Sequence, residues 1–202
     1  MLTIIDLQFG NLGSLSNMLN YLSIKSEISN DIKKILSAKK LIFCGVGSFD
    51  NAMKRIHENK ELKETIDYVV LEKKIPILGI CLGMHLMMDK SEEGKLKGLS
   101  WIKGSVKKFT PNKNFKVPHM GWNYLEINKE NILTNLSSND AKYYFVHSYY
   151  VDLENKSQCI FSTNHFINFA SGFNHENIFG IQFHPEKSHK HGMNILKNFS
   201  EI

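Results

Sequence analysis

The chain is predicted to be an α/β protein, an open and mostly parallel sheet with helices on both faces and an antiparallel extension. Three observations carry this. Short apolar runs at residues 2–5, 41–44 and 75–80 alternate with stretches whose apolar residues recur at helical spacing. Each run stops at Asp6, Gly45 or Cys81, and beyond about Gly104 the pattern changes to closely spaced short strands. Alternation of strand and helix builds a parallel sheet covered on both sides, and ligands of such sheets gather at the carboxyl ends of the strands.

The first run closes at Asp6 and Gly10, and Leu12, Leu15, Met18, Leu19 and Leu22 then share one helical face. A short strand near 27–29 and a helix from about Asp31 lead to residues 41–44, which Gly45-Val46-Gly47 ends in a tight loop. A helical stretch over 50–72, broken near Asn59, precedes the strand at 75–80. In the second half the spacing predicts strands at 142–151, 159–163 and 179–184 and a helix at 192–199. No Pro, Gly or Ser-rich linker and no internal repeat divides the chain, so residues 1–202 are read as one domain.

Composition narrows the function classes. A chain of 202 residues, 42% hydrophobic and 22% charged, buries a core without needing a disulfide or metal, and is neither disordered nor fibrous in character. No stretch approaches bilayer length and no signal-peptide pattern opens the sequence, so a cytoplasmic protein with reduced cysteines is expected. Cys44, Cys81 and Cys159 are widely spaced and make no zinc pattern. The net charge of +5 comes from dispersed lysines without a nucleic-acid motif, which describes a solvated basic surface. Neither nucleic acid, membrane, metal nor cofactor is called for.

Gly79-Ile80-Cys81-Leu82-Gly83 sets a cysteine between glycines where an apolar strand turns into a helix. This is the pattern of a nucleophile elbow, and a helix N-terminus there would favour the reactive thiolate. Taken alone, the pattern equally fits a buried structural cysteine. Gly180-Ile181-Gln182-Phe183-His184-Pro185-Glu186 supplies a base and an orienting carboxylate: in an extended segment His184 and Glu186 would share a face with Cα atoms roughly 7 Å apart. Nucleophile, base and orienter together point to covalent acyl transfer. The developing oxyanion needs donors, for which the main-chain N–H of Leu82 and the loop of Val46 and Gly47 are the candidates.

These residues resemble the class I, triad-type glutamine amidotransferases, and among them the branch that serves as glutaminase subunits of imidazole glycerol phosphate synthases. Asp6 with Gly10-Asn11-Leu12, Gly45 to Phe49 with Ala52-Met53, Gly79 to Met84, Ser91-Glu92-Glu93, Pro118 to Asn123, Tyr144 to Tyr149 and Gln182 to Ser188 carry the likeness over nearly the whole chain. The resemblance implies that Cys81 forms a glutamyl thioester while His184, oriented by Glu186, relays protons. It implies that His147, Ser148 and Tyr149 hold the amino-acid end of glutamine, with Gly45 and His85 also on the substrate side. It implies a (β/α)8-barrel synthase partner that takes the ammonia, docked on the face of Asn11, Pro118, His119, Met120, Trp122, Asn123, Tyr144 and Lys187. For Tyr143, Phe145 and Tyr150, ordinary strand packing is the expectation.

Three positions depart from the family pattern. His85 stands where glutamine is usual, one helical turn after Cys81, and as a neutral ring it can both donate and accept. Cys44 replaces a proline, which should loosen the loop after it. Leu7-Gln8-Phe9 replaces a tyrosine and glycine beside the presumed partner face. Relatives of the same subunit also resemble partners of barrels that convert an acetamido to an acetamidino sugar in surface-polysaccharide pathways, and residues 91–102 look somewhat like theirs. A non-catalytic binding partner is the reading from another class.

Overall fold

The computed structural model describes residues 1–8, 12–45, 47–111, 116–135 and 140–202. The wholly buried strand β1 (Leu2–Ile5) is followed by α1 (Leu12–Tyr21), which turns Leu12, Leu15 and Leu19 inward. After β2 (Ser26–Ser29), the Asp31 carboxylate accepts from the N–H groups of Lys33 and Lys34 and so caps α2 (Ile32–Ser37). Next come β3 (Lys40–Gly45), α3 (Phe49–Glu58), capped by Ser48, and α4 (Lys60–Asp67), capped by Asn59. Asn59 thus ends one helix and starts the next, which is the break read from the sequence.

Strand β4 (Ile77–Cys81) starts two residues later than predicted, after Pro76, and leads directly into α5 (Leu82–Leu86). The chain continues through β5 (Lys90–Ser91), β6 (Gly104–Lys108), β7 (His119–Tyr124), β8 (Glu126–Ile127), β9 (Lys142–His147), β10 (Tyr149–Leu153), β11 (Cys159–His165), β12 (Ile167–His175), β13 (Ile178–Ile181) and α6 (His189–Ser200).

The main sheet runs β2-β1-β3-β4-β13-β12-β10-β6-β5, with β11 and β8 attached beside β12. Its first five strands pair in parallel, and β12, β10 and β6 extend it antiparallel. One face packs against α2, α3, α4 and α5 through Ile35, Phe49, Met53, Ile66 and Met84. The other packs against α1 and α6 through Leu15, Leu19, Ile195 and Phe199. This is the predicted α/β sandwich with its antiparallel extension, helices on both faces.

The second half differs from expectation in two places that matter for function. The predicted strand at 142–151 is two strands: β9 leaves the main sheet to pair with β7, and Ser148 is the corner, its carbonyl accepting from the N–H of Phe109. The predicted strand at 179–184 stops at Ile181. The Gln182 N–H reaches back to the carbonyl of Ser171 in the main sheet, and the His184 N–H reaches forward to the carbonyl of Tyr144 in the small one. His184 therefore sits at the seam between the two sheets.

Candidate active site

Cys81 is the last residue of β4 and the residue before α5, with φ 52° and ψ −109°. A side-chain-bearing residue held in that region costs about 1–3 kcal/mol and persists only where the surroundings impose it. The neighbours show what imposes it. A Cβ on Gly83 would lie 1.7 Å from the Phe43 carbonyl oxygen, and one on Gly79 would lie 2.8 Å from the Met84 nitrogen. The glycines let α5 press against β3 and β4, and this close approach leaves the cysteine at the apex of the turn. Helix α5 has only 5 residues, so its dipole is slight and the electrostatic benefit expected from a longer helix is small.

His184 and Glu186 meet by another route than the sequence suggested. Residues Pro185–Lys187 form a tight helical turn, so the period-two geometry of a strand does not apply. The turn still brings the carboxylate back: the Nδ1–H of His184 donates to Oε1 of Glu186 at 2.7 Å. Ser188 braces the turn, its hydroxyl donating to the His184 carbonyl at 2.6 Å and accepting from the Tyr144 N–H at 3.0 Å. Gly192 lets α6 close on the same turn, where a Cβ would lie 1.9 Å from the Pro185 carbonyl oxygen.

With Nδ1 engaged, Nε2 of His184 is buried and has no hydrogen-bond partner among the described residues. Burial acts to discharge the ring, but the Cys81 sulfur and the Glu186 carboxylate outweigh it and raise the His184 pKa to about 10. An imidazole oriented by a carboxylate on one nitrogen, with the other left for the thiol, is the arrangement that can shuttle a proton during acyl transfer.

Both side chains open on a cavity of about 360 Å³. It is lined by Cys81, Leu82 and His85, by Gly47, Glu93 and the segment Val146 to Tyr149, and by Pro118 and His184. Gly47, at φ 131° with open space around its Cα, is one oxyanion candidate placed here, and Leu82 is another. Gly45 lies in register with Cys81 across β3 and β4. Val46 and Asn11 lie outside the described residues. Cys44, where a looser loop was expected, stays in strand register with Ile80, and burial, with Glu186 and Cys81 nearby, pushes its thiol up.

Glu93, which lines the cavity, and Gln182, which contacts Cys81, escaped the sequence reading of the site. Glu93 is half-buried, accepts from the Phe49 N–H at 3.2 Å, and has its pKa raised by burial. Its only sequence signal was membership of the Ser91-Glu92-Glu93 motif. Gln182 is fully buried and sits between His85 and Cys81, with contacts of 2.7 Å and 3.7 Å respectively.

The residues assigned to a partner face divide. Met120, Trp122 and Tyr124 alternate outward along β7 and are 62%, 46% and 49% exposed, so this face is available. Trp122 stacks on His189 and meets Tyr144 edge-on, and the Lys187 ammonium lies over the Tyr144 ring. His119 points inward and is buried, a correction that period two on β7 imposes. Its Nδ1 donates to Nε2 of His147 at 2.9 Å, because Nδ1 of His147 is committed as donor to the Tyr149 carbonyl; Asn123 then donates to the far nitrogen of His119. Burial keeps both rings neutral, lowering His119 to about 4 and His147 well below its usual value. Tyr143 and Phe145 pack inward as strand aromatics, and Tyr150 is half-buried against Phe109.

Comparison with known proteins gives the family. The family described as "Glutamine amidotransferase class-I" matches residues 3–202. The chain is 45% identical over 199 residues to the imidazole glycerol phosphate synthase subunit HisH 2 of Methanococcus maripaludis, covering 98% of each. It is 40% identical over 206 residues to the subunit HisH of Leptospira interrogans, covering 100% of each. In fold it is similar to the structure of PurLQS from Thermotoga maritima, with a TM-score of 0.75 at 15% identity, covering 99% of this chain and 97% of the other. No helix among the described residues is long and apolar enough to cross a membrane.

Proposed function

The chain belongs to the class I glutamine amidotransferase family, and we propose from that premise that Cys81, His184 and Glu186 are its catalytic residues. It is the glutaminase subunit of an imidazole glycerol phosphate synthase, supplying ammonia in histidine biosynthesis. The observation that carries the assignment of residues is the His184 imidazole, fixed by Glu186 at 2.7 Å with its other nitrogen left unengaged, beside a pocket that Cys81 and His184 both line.

The Cys81 sulfur attacks the side-chain amide carbon of glutamine. Main-chain N–H groups at Gly47 and Leu82 receive the developing oxyanion. His184 delivers its proton to the departing nitrogen, so ammonia leaves and a glutamyl thioester remains. Water, deprotonated by the now neutral His184, attacks the thioester; glutamate leaves and the thiolate and imidazolium are restored. Ser148, Tyr149 and the His147-supported corner hold the amino-acid end, and the Glu93 carboxylate faces the α-ammonium.

The exposed apolar row of Met120 and Trp122, with Tyr144 and Lys187 beside it, is the docking face for a (β/α)8-barrel synthase subunit in the cytoplasm. Tyr and Trp in such a patch give large contact area at low entropic cost. A barrel that receives ammonia directly keeps it unprotonated, with its lone pair available for attack. The assay is glutamate release from glutamine with the barrel subunit and its ligand present. Wild type is expected to turn over and Cys81→Ala to stay at background; background rates for both would overturn the assignment.

A further inference from the structure

We propose that Gln182 is a positioning residue that donates a hydrogen bond to the Cys81 sulfur, and that His85 sets the orientation of its amide. The inference rests on the reading of Cys81 as the nucleophile. Three facts lead to it. Gln182 is fully buried, and its main chain is fastened by the bond from its N–H to the Ser171 carbonyl at 2.9 Å. Its Oε1 lies 2.7 Å from Nε2 of His85. Its Nε2 lies 3.7 Å from the sulfur of Cys81.

An amide oxygen only accepts, so His85 must carry its proton on Nε2 and donate it. A neutral imidazole has one N–H to give, and burial keeps this ring neutral, its pKa lowered to about 4. With the oxygen held by His85, the amide N–H groups are turned to the sulfur. A thiolate selects this orientation, since the flipped amide would set an oxygen lone pair against a negative charge. Chain geometry places the donor well: Gln182 precedes His184 by two residues, so one short segment supplies both the base and a donor to the nucleophile. At the strained elbow of Cys81 such a donor fixes the sulfur's direction and favours its charged form.

This also explains how histidine is tolerated at position 85. What the site requires there is a donor to the Gln182 oxygen, and an imidazole N–H meets that need as a glutamine amide would.

The test is the rate of Cys81 alkylation by iodoacetamide at neutral pH in the full chain, followed by peptide mass spectrometry. Gln182→Met keeps length and removes the donor, and is expected to slow alkylation about tenfold, the worth of one hydrogen bond to a charged group. His85→Leu should fall between the two, and His85→Gln should restore nearly the wild-type rate. Gln182→Met within twofold of wild type, or His85→Gln as slow as His85→Leu, would overturn the proposal. If Gln182→Met fails to fold, the two His85 variants carry the same decision. With glutamine and the barrel present, the expected loss in His85→Leu is in kcat; a rise in KM alone with unchanged alkylation would make His85 a substrate contact and sink the positioning role. Alkylation reads only the thiol, so it stands apart from whether glutamine is the substrate.

Discussion

Lowering the pH from 7 to 5 should destabilise this protein through its buried neutral histidines, and His85→Gln isolates one of them. Folding lowers the His85 pKa from 6.5 to about 4, because burial outweighs the bond to Gln182. The unfolded chain therefore binds the proton first as the pH falls. Stability that is intact above 6.5 drains away toward 4, the direction expected when the unfolded state holds more protons. At pH 5 the unfolded ring is almost fully charged and the folded ring almost uncharged, a difference of roughly 2 kcal/mol. His184 does not cancel this, since its raised value contributes stability fully present below 6.5 and lost only as the pH climbs through about 10. Glutamine at 85 does not titrate. The gap in unfolding free energy between wild type and His85→Gln should shift by roughly 2 kcal/mol in the variant's favour between pH 7 and 5, or roughly 4–8 °C in Tm for a domain of this size. Urea unfolding at the two pH values measures it. A gap that stays constant would show that His85 is not held neutral by burial.

Three other perturbations test separate parts of the structure. Gly83→Ala should cost several kcal/mol or prevent folding, because its Cβ would fall 1.7 Å from the Phe43 carbonyl oxygen; expression and thermal unfolding read this out, and a stable variant would refute the packing at the elbow. Glu186→Gln should lower kcat by about 10²–10⁴ through loss of the imidazole's orienter, and its stability deficit relative to wild type at pH 7 should shrink as the pH passes about 10, where wild-type His184 discharges as well. Trp122→Ala should leave folding unchanged, since the side chain is 46% exposed, yet weaken barrel binding about tenfold to a hundredfold in a titration of the two subunits.

The parallel half of the fold was legible because its strands are continuous apolar runs closed by glycine or a polar residue, as at 41–44 before Gly45. Cys81 was legible for the same reason, since glycines at 79 and 83 are needed wherever a helix presses this closely on the strand it follows. The second half was less so. Nothing local to Lys142–His147 reveals that it deserts the main sheet, because β9 and β10 are both half-buried, alternating strands and differ only in which partner they pair with. His119 was misplaced on the surface because period two fixes that it lies opposite Met120 but not which of the two faces inward. Glu93 and Gln182 were missed for a related reason: Glu93 lines the pocket and Gln182 contacts Cys81 through the tertiary fold, and no periodicity in the sequence encodes either approach.

The departure of β9 from the main sheet bears directly on what a partner can influence. Cys81 belongs to the main sheet, whereas the main-chain N–H of His184 is held by the carbonyl of Tyr144 on β9. On that strand Tyr144 pairs with Trp122 of β7, and both side chains lie on the exposed side. His147, three residues further along β9 on the buried face, backs the Ser148 and Tyr149 corner of the pocket and is bonded to His119 of β7. Nucleophile and base are thus anchored to different sheets, and the sheet that anchors the base is the one presenting the apolar row. A partner seated on Met120 and Trp122 loads the same two strands that fix the His184 backbone and the substrate corner, while β4 and Cys81 stay tied to the parallel core. The seam through Gln182, Phe183 and His184 therefore depends on both sheets at once, and there docking has the mechanical means to alter the alignment of base and nucleophile.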